Sequence, residues 1–291
     1  MRSNLPVTQR ERDYPDGLTL VSTTDAQGRI THCNAAFVEV SGYSYDELLG
    51  QPHNMVRHPD MPPEAYKDMW STVGHGRPWS GVVKNRCKNG DHYWVLANVT
   101  PVLENGKPVA YMSVRLKPTR EQVQAAQALY ERIHAERELP HKSFRLHAGG
   151  VRQVGWRDWP YMVFRLTLSQ RFGIALGMLY AIVAAPGWLG LLGRPLGALE
   201  ALLLAGGLGW FATWFHFSVA RRLDECTAIA GQIAGCNLTG RLDHDPRHPL
   251  GKLVRNVWLA NLNMQAIVDD VRTEVRGMTS AAGEIAAGNR D

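Results

Sequence analysis

The chain has little of what disulfide frameworks, zinc sites and common nucleotide-dependent enzymes require. Its 291 residues contain four cysteines, and none of them forms a CxxC pair or a zinc-ligand spacing. The sequence therefore predicts no metal site, and reduced thiols in a cytoplasmic compartment are expected. No GxGxxG motif opens a βαβ unit and no nucleophile–base pattern is present, so we predict no catalytic residues. The chain also begins without the apolar stretch of a secretory signal, so we expect its first domain to remain inside the cell.

A net charge of +5 is typical of nucleic-acid or membrane partners, and the distribution of the basic residues separates the two. These residues do not form one stripe interleaved with aromatic side chains, so we predict no nucleic-acid partner. Many of them flank two apolar segments, which favours contact with membrane lipid. The composition, 45% hydrophobic and 20% charged, is that of a globular protein. The length suits about two domains.

Two apolar segments are each long enough to cross a bilayer. Residues 172–193 contain no charged side chain, and residues 198–219 follow after a short break; each runs to roughly 20 residues. The flanking arginines are Arg165, Arg171, Arg221 and Arg222. Because the connection holds only Arg194, the positive-inside rule places both outer ends of this hairpin in the cytoplasm. The alternative is a pair of buried helices in a soluble domain, which the internal glycines disfavour at about 1 kcal/mol each.

Strand and turn patterns over residues 17–117 predict an α+β domain. The predicted strands are residues 18–24, 29–33, 79–88, 91–103 and 107–116. Asn89-Gly90 is a strong two-residue hairpin signal between the third and fourth of these. Short helices are predicted after Asn34, at a capping box opened by Ser44, and at Pro62-Pro63. The result is a five-stranded antiparallel sheet with flanking short helices, and a pocket is expected between the two layers.

Several short motifs in this domain carry a family resemblance. They are STTD at 22–25, Asn34, GY at 42–43, EL at 47–48, GQPHNMVRHPDMP at 50–62, WSG at 79–81, KNR at 84–86, KNGDHYW at 88–94 and YMS at 111–113. Together they resemble a PAS domain and, more narrowly, the PAS domain of the Aer-type bacterial aerotaxis receptors. The resemblance covers residues 7–117 by motif and continues as architecture through the hairpin. It implies non-covalent FAD whose redox state reports oxygen, and a receptor rather than an enzyme.

Two residues of the predicted third strand are candidates for direct flavin contact. Trp79 offers an aromatic ring for stacking on the isoalloxazine, and a core tryptophan is the alternative. Asn85 offers an amide donor and acceptor that match the flavin N5/O4 edge. Asparagine is depleted in strands, which favours this role over a solvated side chain. Rotation of that amide on reduction would shift its strand and bias a two-state element.

The loop before Pro62 supplies candidates for the phosphate end of the cofactor. Arg57 is predicted to meet the pyrophosphate with a planar, charge-assisted fork, His58 to assist it and Asp60 to orient Arg57. A surface salt bridge is the alternative for this group. The weaker candidates are His53 and Asn34, which also suits a helix cap, while Trp70 and Tyr93 are expected to shape the pocket wall.

The segments around the hairpin extend the resemblance. A polar helix is predicted from Thr119 to about residue 138, and the basic residues 141–160 are expected at the inner membrane surface. After the hairpin, two apolar-striped helices separated by a connector at residues 235–251 resemble a HAMP domain, which dimerises into a parallel four-helix bundle. The sequence RHPLG at 247–251 departs from the acidic start of the family's second helix. An ordinary coiled-coil linker is the alternative.

The pattern gives the following predicted boundaries. They are 1–16 for an N-terminal cap, 17–118 for the PAS domain, 119–165 for a linker helix and basic membrane-proximal segment, 168–220 for the transmembrane hairpin, 221–273 for the HAMP-like domain and 274–291 for the start of a signalling coiled coil. The family resemblance implies a signalling hairpin beyond this point, and a homodimer that acts on a chemotaxis histidine kinase and its coupling adaptor. The expected location is the bacterial inner membrane, with the PAS and HAMP domains both cytoplasmic.

Three other functions remain open from sequence. The same sensory half could be joined to another output, such as a histidine kinase or a cyclic-dinucleotide enzyme. A flavin enzyme with turnover lacks a visible substrate route. A haem-binding PAS domain is also conceivable, because histidines are available at His32, His53, His58, His75 and His92.

Overall fold

The computed structural model describes residues 4–137, 139, 142–154, 166–188, 196–240, 248 and 250–288. The chain divides into two units, one formed by residues 1–155 with 262–291 and the other by residues 156–261.

A five-stranded antiparallel sheet forms the centre of the first unit. Its strands are β1 (Leu20–Asp25), β2 (Ile30–Cys33), β3 (Trp79–Arg86), β4 (His92–Glu104) and β5 (Lys107–Leu116). They lie in the order β2-β1-β5-β4-β3, so β5 is central and pairs with β1 and β4. The predicted fold class is confirmed for this domain. One detail differs, because Cys87 N donates to Asp91 O at 2.7 Å and so places Asn89 in a three-residue loop rather than a two-residue turn.

Short helices cover one face of the sheet. They are α1 (Ala35–Ser41), α2 (Tyr45–Leu48), a 3₁₀ turn (His53–Val56) and α3 (Pro63–Gly74). Ser44 and Glu47 form the predicted capping box at the start of α2. Proline stands at the first position of α3, where a missing N–H costs nothing. Phe37 and Leu48 are fully buried against the sheet, and so anchor α1 and α2 to it.

Asn34 joins α1 to the edge of the sheet. Its Oδ1 accepts from Phe37 N at 3.0 Å, which caps α1, and from Val21 N at 3.0 Å, which extends the pairing with β1. Its Nδ2 donates to Thr19 O at 2.9 Å. Every polar atom of this side chain is therefore committed to backbone groups, and the residue fixes where the helical layer begins.

A helix and a β-hairpin extend the first unit. Helix α4 (Arg120–Ala135) starts at the predicted cap, Thr119, and the hydroxyl of Tyr130 on α4 donates to the backbone of Val82. Strands β6 (Phe144–His147) and β7 (Gly150–Gln153) form a separate two-stranded sheet. The sequence pattern, dominated by basic and apolar residues, does not predict this hairpin.

The turn of the β6–β7 hairpin docks on α3. Its two central residues, Ala148 at φ 52° and Gly149 at φ 84°, have the signs of a type I′ turn. Their backbone N–H groups donate to the carboxylate of Asp68 at 2.8 and 2.7 Å. The same carboxylate accepts from Trp79 Nε1 at 2.8 Å. Asp68 thus holds the hairpin turn and the first residue of β3 together.

The second unit is helical. Its helices are α5 (Leu168–Trp188), α6 (Leu196–Phe215) with a π-helical turn at His216–Ala220, and α7 (Arg221–Ala234); α8 (Gly251–Gly288) begins here and continues into the first unit. The Phe172 ring, near the start of α5, lies 5.5 Å from the ring of Trp214 near the end of α6, which makes these helices an antiparallel pair. The predicted connection at residues 193–197 falls partly outside the described residues.

Among the described residues, one helical segment has the length and composition of a membrane span. It is Leu202–Ala234, with a mean hydropathy of 1.3 and 6% of its most apolar window buried. Large apolar side chains on α5 also face outwards, including Ile174, Leu176 and Tyr180.

The four cysteines are free thiols. Cys33 and Cys87 are buried in the first unit, and burial raises the pKa of each thiol to about 11. Cys226 is also buried. Cys236 is exposed.

Candidate functional site

A cavity lies between the inner face of the sheet and helix α3. The space inside it, counted together with the open solvent at its mouth, is about 570 Å³. Side chains alternate along a strand, so every second residue of four strands faces the cavity. These residues are Ser22 and Thr24 on β1, Val83 and Asn85 on β3, Val95, Ala97 and Val99 on β4, and Tyr111, Ser113 and Arg115 on β5.

Helix α3 and the loop before it close the opposite side. His53, Arg57, Tyr66, Met69 and Trp70 line this wall. The ring of Trp70 stands edge-on to that of Tyr111, with centroids 5.4 Å apart, so aromatic surface joins the helical wall to the sheet.

Arg57 sits where the loop meets the sheet. Its Cζ lies 3.9 Å from the centroid of the Tyr66 ring, a cation–π contact. Its backbone forms an isolated bridge with Asn85 on β3, which ties two cavity-lining residues together. Burial lowers the pKa of the guanidinium from its ordinary value. Arg57 and Asn85 are therefore held as one local unit at the cavity wall.

Among the described residues, three polar atoms of the lining are buried without a hydrogen-bond partner. They are Arg57 Nε, Tyr66 Oη and Ser113 Oγ. An unsatisfied buried polar group costs about 1–3 kcal/mol, so groups of this kind need an explanation. No aspartate or glutamate is found among the described residues that line the cavity. A ligand with several hydrogen-bond acceptors, or with negative charge, matches these donors.

The structure brings four of the predicted site residues to this cavity, namely His53, Arg57, Trp70 and Asn85. Asn34 lies outside the lining, bonded to the backbone of α1 and β1. Tyr93 is fully buried in the core, edge-on to the ring of Tyr14 at 6.4 Å. Trp79 is 4% exposed and gives its indole N–H to Asp68. Trp70 lies in the cavity lining, where the sequence predicts a pocket-wall residue, and Trp79 is not among the lining residues.

His58 and Asp60 belong to a separate polar cluster behind the cavity wall. His58 is 1% exposed, and its Nδ1 accepts from Asp60 N at 3.2 Å. Asp60 Oδ2 pairs with Lys84 Nζ at 2.7 Å, and the side chain of Lys84 is 10% exposed. The ring of His92 lies edge-on to that of His58 at 5.7 Å. The cluster packs the loop against β3 and β4.

Acidification is expected to destabilise the domain through this cluster. Burial, with a further contribution from Lys84, lowers the pKa of His58 to about 4, and the same causes lower the pKa of His92. In the unfolded chain both rings titrate near about 6.5. The unfolded state therefore binds more protons below that pH, and the free energy of unfolding falls as the pH drops from about 6.5 to about 4. We expect a loss of about 1–2 kcal/mol over this window.

Thermal unfolding of the detergent-purified chain, followed by near-UV circular dichroism across that pH range, measures this loss. His58→Gln should flatten the dependence, whereas His75→Gln, at an exposed position, should leave it unchanged. A wild-type melting temperature that stays constant down to about pH 4.5 would contradict the prediction.

Sequence reasoning missed most of the sheet-borne lining, and Arg115 above all. The alternation Tyr111, Ser113, Arg115 on β5 is the signal that finds it, since residues two apart share a face. Arg115 is the second-to-last residue of β5, and its burial is unusual, because arginine is almost never fully buried unless paired.

Comparisons with known proteins identify the fold of the first unit. Residues 30–115 match the family model described as PAS fold, so the first unit contains a PAS domain. Over 98% of its length the chain is 37% identical to the aerotaxis receptor of Escherichia coli (strain K12), and it spans 54% of that protein. The resemblance that the motifs predict is thereby confirmed.

Two further proteins match a part of the chain. The nitrogen fixation regulatory protein of Klebsiella pneumoniae is 39% identical over 28% of this chain and 17% of that protein. Among solved structures, the dark structure of the blue-light photoreceptor Aureochrome1 LOV is 22% identical, covers 38% of this chain and 84% of that chain, and has a TM-score of 0.36.

Proposed function

Because this chain is related to the bacterial aerotaxis receptors along almost its whole length, we propose that it is the sensory half of such a receptor. Its PAS domain binds FAD non-covalently and reports the redox state of the cell. The chain spans about half the length of that relative, 54%, so the output is part of the proposal. It signals through a HAMP-like domain as a homodimer to a chemotaxis histidine kinase and its coupling adaptor, without enzymatic turnover.

The observation that carries this proposal is the donor set of the cavity. Arg57 Nε, Tyr66 Oη and Ser113 Oγ lack hydrogen-bond partners in the part of the chain that the structure describes, and Trp70 with Tyr111 gives the cavity an aromatic wall. A flavin presents a flat apolar ring system with carbonyl and nitrogen acceptors at its edges and a pyrophosphate at its far end. The residues present fit such a group.

The chain's own residues divide the binding between them. Arg57 meets the pyrophosphate, because a planar guanidinium fork suits phosphate oxygens. Asn85 presents its amide to the ring edge. When that hydrogen bond rearranges, strand β3, which carries Asn85, shifts with it. The bound flavin supplies the exchange of electrons. Since the backbones of Arg57 and Asn85 form a bridge, a shift of one changes the position of the other.

The second unit anchors the sensor in the bacterial inner membrane. Outward-facing apolar residues on α5 and α6, such as Met178 and Leu208, are suited to lipid rather than water. The basic residues at the outer ends of the hairpin favour a cytoplasmic position for the PAS and HAMP-like domains.

An absorbance spectrum of the detergent-purified chain, before and after dithionite, tests the cofactor. We expect the two bands of oxidised flavin, their loss on reduction, and release of FAD on heating. A Soret band would replace the proposal with a haem sensor. A colourless chain that does not take up FAD would contradict it.

Arg57→Met is expected to weaken FAD binding by about 10- to 100-fold, because a charge-assisted hydrogen bond contributes about 1.5–3 kcal/mol. Riboflavin, which lacks the pyrophosphate, should bind the variant and the wild type equally well. Arg29→Met removes the same charge from an exposed position and serves as the control. Fluorescence titration of each apoprotein with FAD and with riboflavin measures these affinities. Equal losses for FAD and riboflavin would place Arg57 elsewhere on the ligand.

A further inference from the structure

The β6–β7 hairpin has one face toward the PAS domain and one face away from it. Side chains alternate along each strand, and residues directly opposite each other across an antiparallel pair share a face. Phe144 is 4% exposed and Leu146 packs against the hydrophobic core, so these two residues belong to the inner face. The outer face carries Arg145 and His147 on β6, and Arg152 on β7, which the register places directly opposite Arg145.

The outer face combines accessible positive charge with an apolar side chain. Arg145 is exposed, whereas Arg152 is half-buried and has contacts of its own, so Arg145 is the main accessible charge. The pairing continues one step beyond β7, because Val154 N donates to Ser143 O at 3.0 Å. Val154 therefore shares the face of Arg152, and it is 45% exposed. Cationic and apolar side chains on one face are typical of segments that lie on a membrane surface.

Three carboxylates around the hairpin are engaged in other contacts. Asp68 accepts from the two turn amides. Glu136 accepts from Ser143 N at 2.9 Å and from Ser143 Oγ at 2.6 Å. Glu64 pairs with Arg137 at 3.0 Å. These contacts hold the hairpin and the end of α4 to the PAS domain, and they leave the positive charge of Arg145 facing outward.

The chain around the hairpin is strongly basic and leads into the proposed membrane hairpin. Residues 139–171 contain six arginine and lysine residues and one acidic residue, Asp158. Clusters of basic residues beside a membrane span are typical of binding to anionic lipid. Strand β7 ends at Gln153 and α5 begins at Leu168. The residues between them reach at most about 50 Å when fully extended, so the chain keeps the β6–β7 hairpin near the bilayer that α5 enters.

We propose that the outer face of the β6–β7 hairpin binds the anionic phospholipid headgroups of the bilayer that anchors the chain. This inference rests on the membrane location in the proposed function and not on the cofactor. Each basic residue near an anionic surface strengthens binding about fivefold. Because the turn of the hairpin is bound to α3 through Asp68, headgroup binding also holds the PAS domain to the membrane. Headgroups that bind the docked hairpin stabilise its docked state.

The test is hydrogen exchange of the full chain in lipid nanodiscs, measured on peptides that cover residues 144–153. One set of nanodiscs contains phosphatidylcholine alone, and the other contains about one third phosphatidylglycerol, which is anionic. We expect the hairpin to exchange about 10-fold more slowly in the anionic nanodiscs. The difference should disappear at about 1 M salt, where the Debye length falls to about 3 Å.

Variants of Arg145 test whether the outer face causes the slower exchange. Arg145→Glu reverses the charge and should abolish the slowing in anionic nanodiscs. Arg29→Glu makes the same change at an exposed position between β1 and β2 and should keep it. Exchange in phosphatidylcholine nanodiscs shows whether the hairpin of each variant is still docked. If Arg145→Glu undocks the hairpin, Arg145→Gln replaces it and should reduce the slowing to about twofold.

The wild-type measurement alone can overturn the inference. Equal exchange of the hairpin in the two kinds of nanodisc overturns headgroup binding and leaves the membrane receptor intact. Equal slowing by inorganic phosphate in phosphatidylcholine nanodiscs also overturns it, because the face would then bind free anions. Loss of the slowing in Arg29→Glu as well as in Arg145→Glu would assign the effect to net charge and not to the hairpin. A chain that does not enter nanodiscs contradicts both the membrane location and this inference.

Discussion

Replacing Gly149 with alanine is expected to release the β6–β7 hairpin from the PAS domain. Gly149 has φ 84°, which costs an L-residue about 1–2 kcal/mol. A Cβ built there would also overlap the backbone carbonyl oxygen of Ser80. Because the position of Cβ is fixed by its own backbone and the oxygen belongs to the backbone of Ser80, no change of rotamer relieves the clash, and the turn must move away.

Moving the turn breaks the two hydrogen bonds from Ala148 and Gly149 to Asp68, each contributing about 1.5–3 kcal/mol as bonds to a charged group. Hydrogen exchange of peptides covering residues 144–153 should therefore accelerate by about 100-fold or more. Exchange in β4 and β5 should change little, because the sheet itself keeps its contacts. Mass spectrometry of the full chain in detergent resolves both regions.

Gly17→Ala is the matched control for backbone strain alone. Gly17 has φ 83°, and a Cβ there meets no atom within 4 Å. The difference between the two variants isolates the close approach to Ser80. Equal exchange of the hairpin in both would mean that the turn does not rest on β3.

Asn34→Ala is expected to destabilise the PAS domain by about 3 kcal/mol. Loss of the helix cap accounts for about 1 kcal/mol, and the other two bonds contribute about 1 kcal/mol each. Val21 is buried, so its N–H finds no water in place of the lost oxygen. The slowest-exchanging amides of β4 should exchange on the order of 100-fold faster.

Ser44→Ala provides the comparison, because Ser44 caps α2 on the surface and holds no strand. The Ser44→Ala substitution should lower the free energy of unfolding by only about 1 kcal/mol. Flavin content per folded molecule should be unchanged in both variants. If Asn34→Ala exchanges like Ser44→Ala but loses its flavin, Asn34 is a ligand contact and the structural assignment is wrong.

The architecture of the PAS domain was accessible from sequence because local signals fix it. The capping boxes at Ser44 and Thr119 mark the starts of α2 and α4, and Pro63 marks the start of α3. These devices act within four residues, so they can be recognised without the tertiary structure.

The direction in which each side chain points was harder to predict. Arg57 and His58 are neighbours, and Arg57 has an extended backbone at φ −75° and ψ 133°. Successive side chains of extended chain point to opposite sides. Arg57 therefore reaches the cavity while His58 packs behind it with His92. A sequence motif that contains both residues does not show that they face opposite sides of the chain.

The β6–β7 hairpin depends on a contact that sequence does not display. Its turn places Ala148 at φ 52°, where glycine or asparagine would be the recognisable signal. The carboxylate of Asp68, on another helix, accepts from both turn amides. The basic and aromatic composition of this segment predicts a membrane surface, and composition says nothing about a distant hydrogen-bond acceptor.

The burial of the thiols has a chemical consequence for a protein proposed to respond to oxidants. The nucleophile and oxidisable species is the thiolate, and a pKa of about 11 at Cys33 and Cys87 leaves almost none of it at neutral pH. Their sulfur atoms therefore do not enter the ladder from sulfenic acid to disulfide. We therefore expect these two thiols to stay reduced while the proposed flavin is oxidised and reduced beside them.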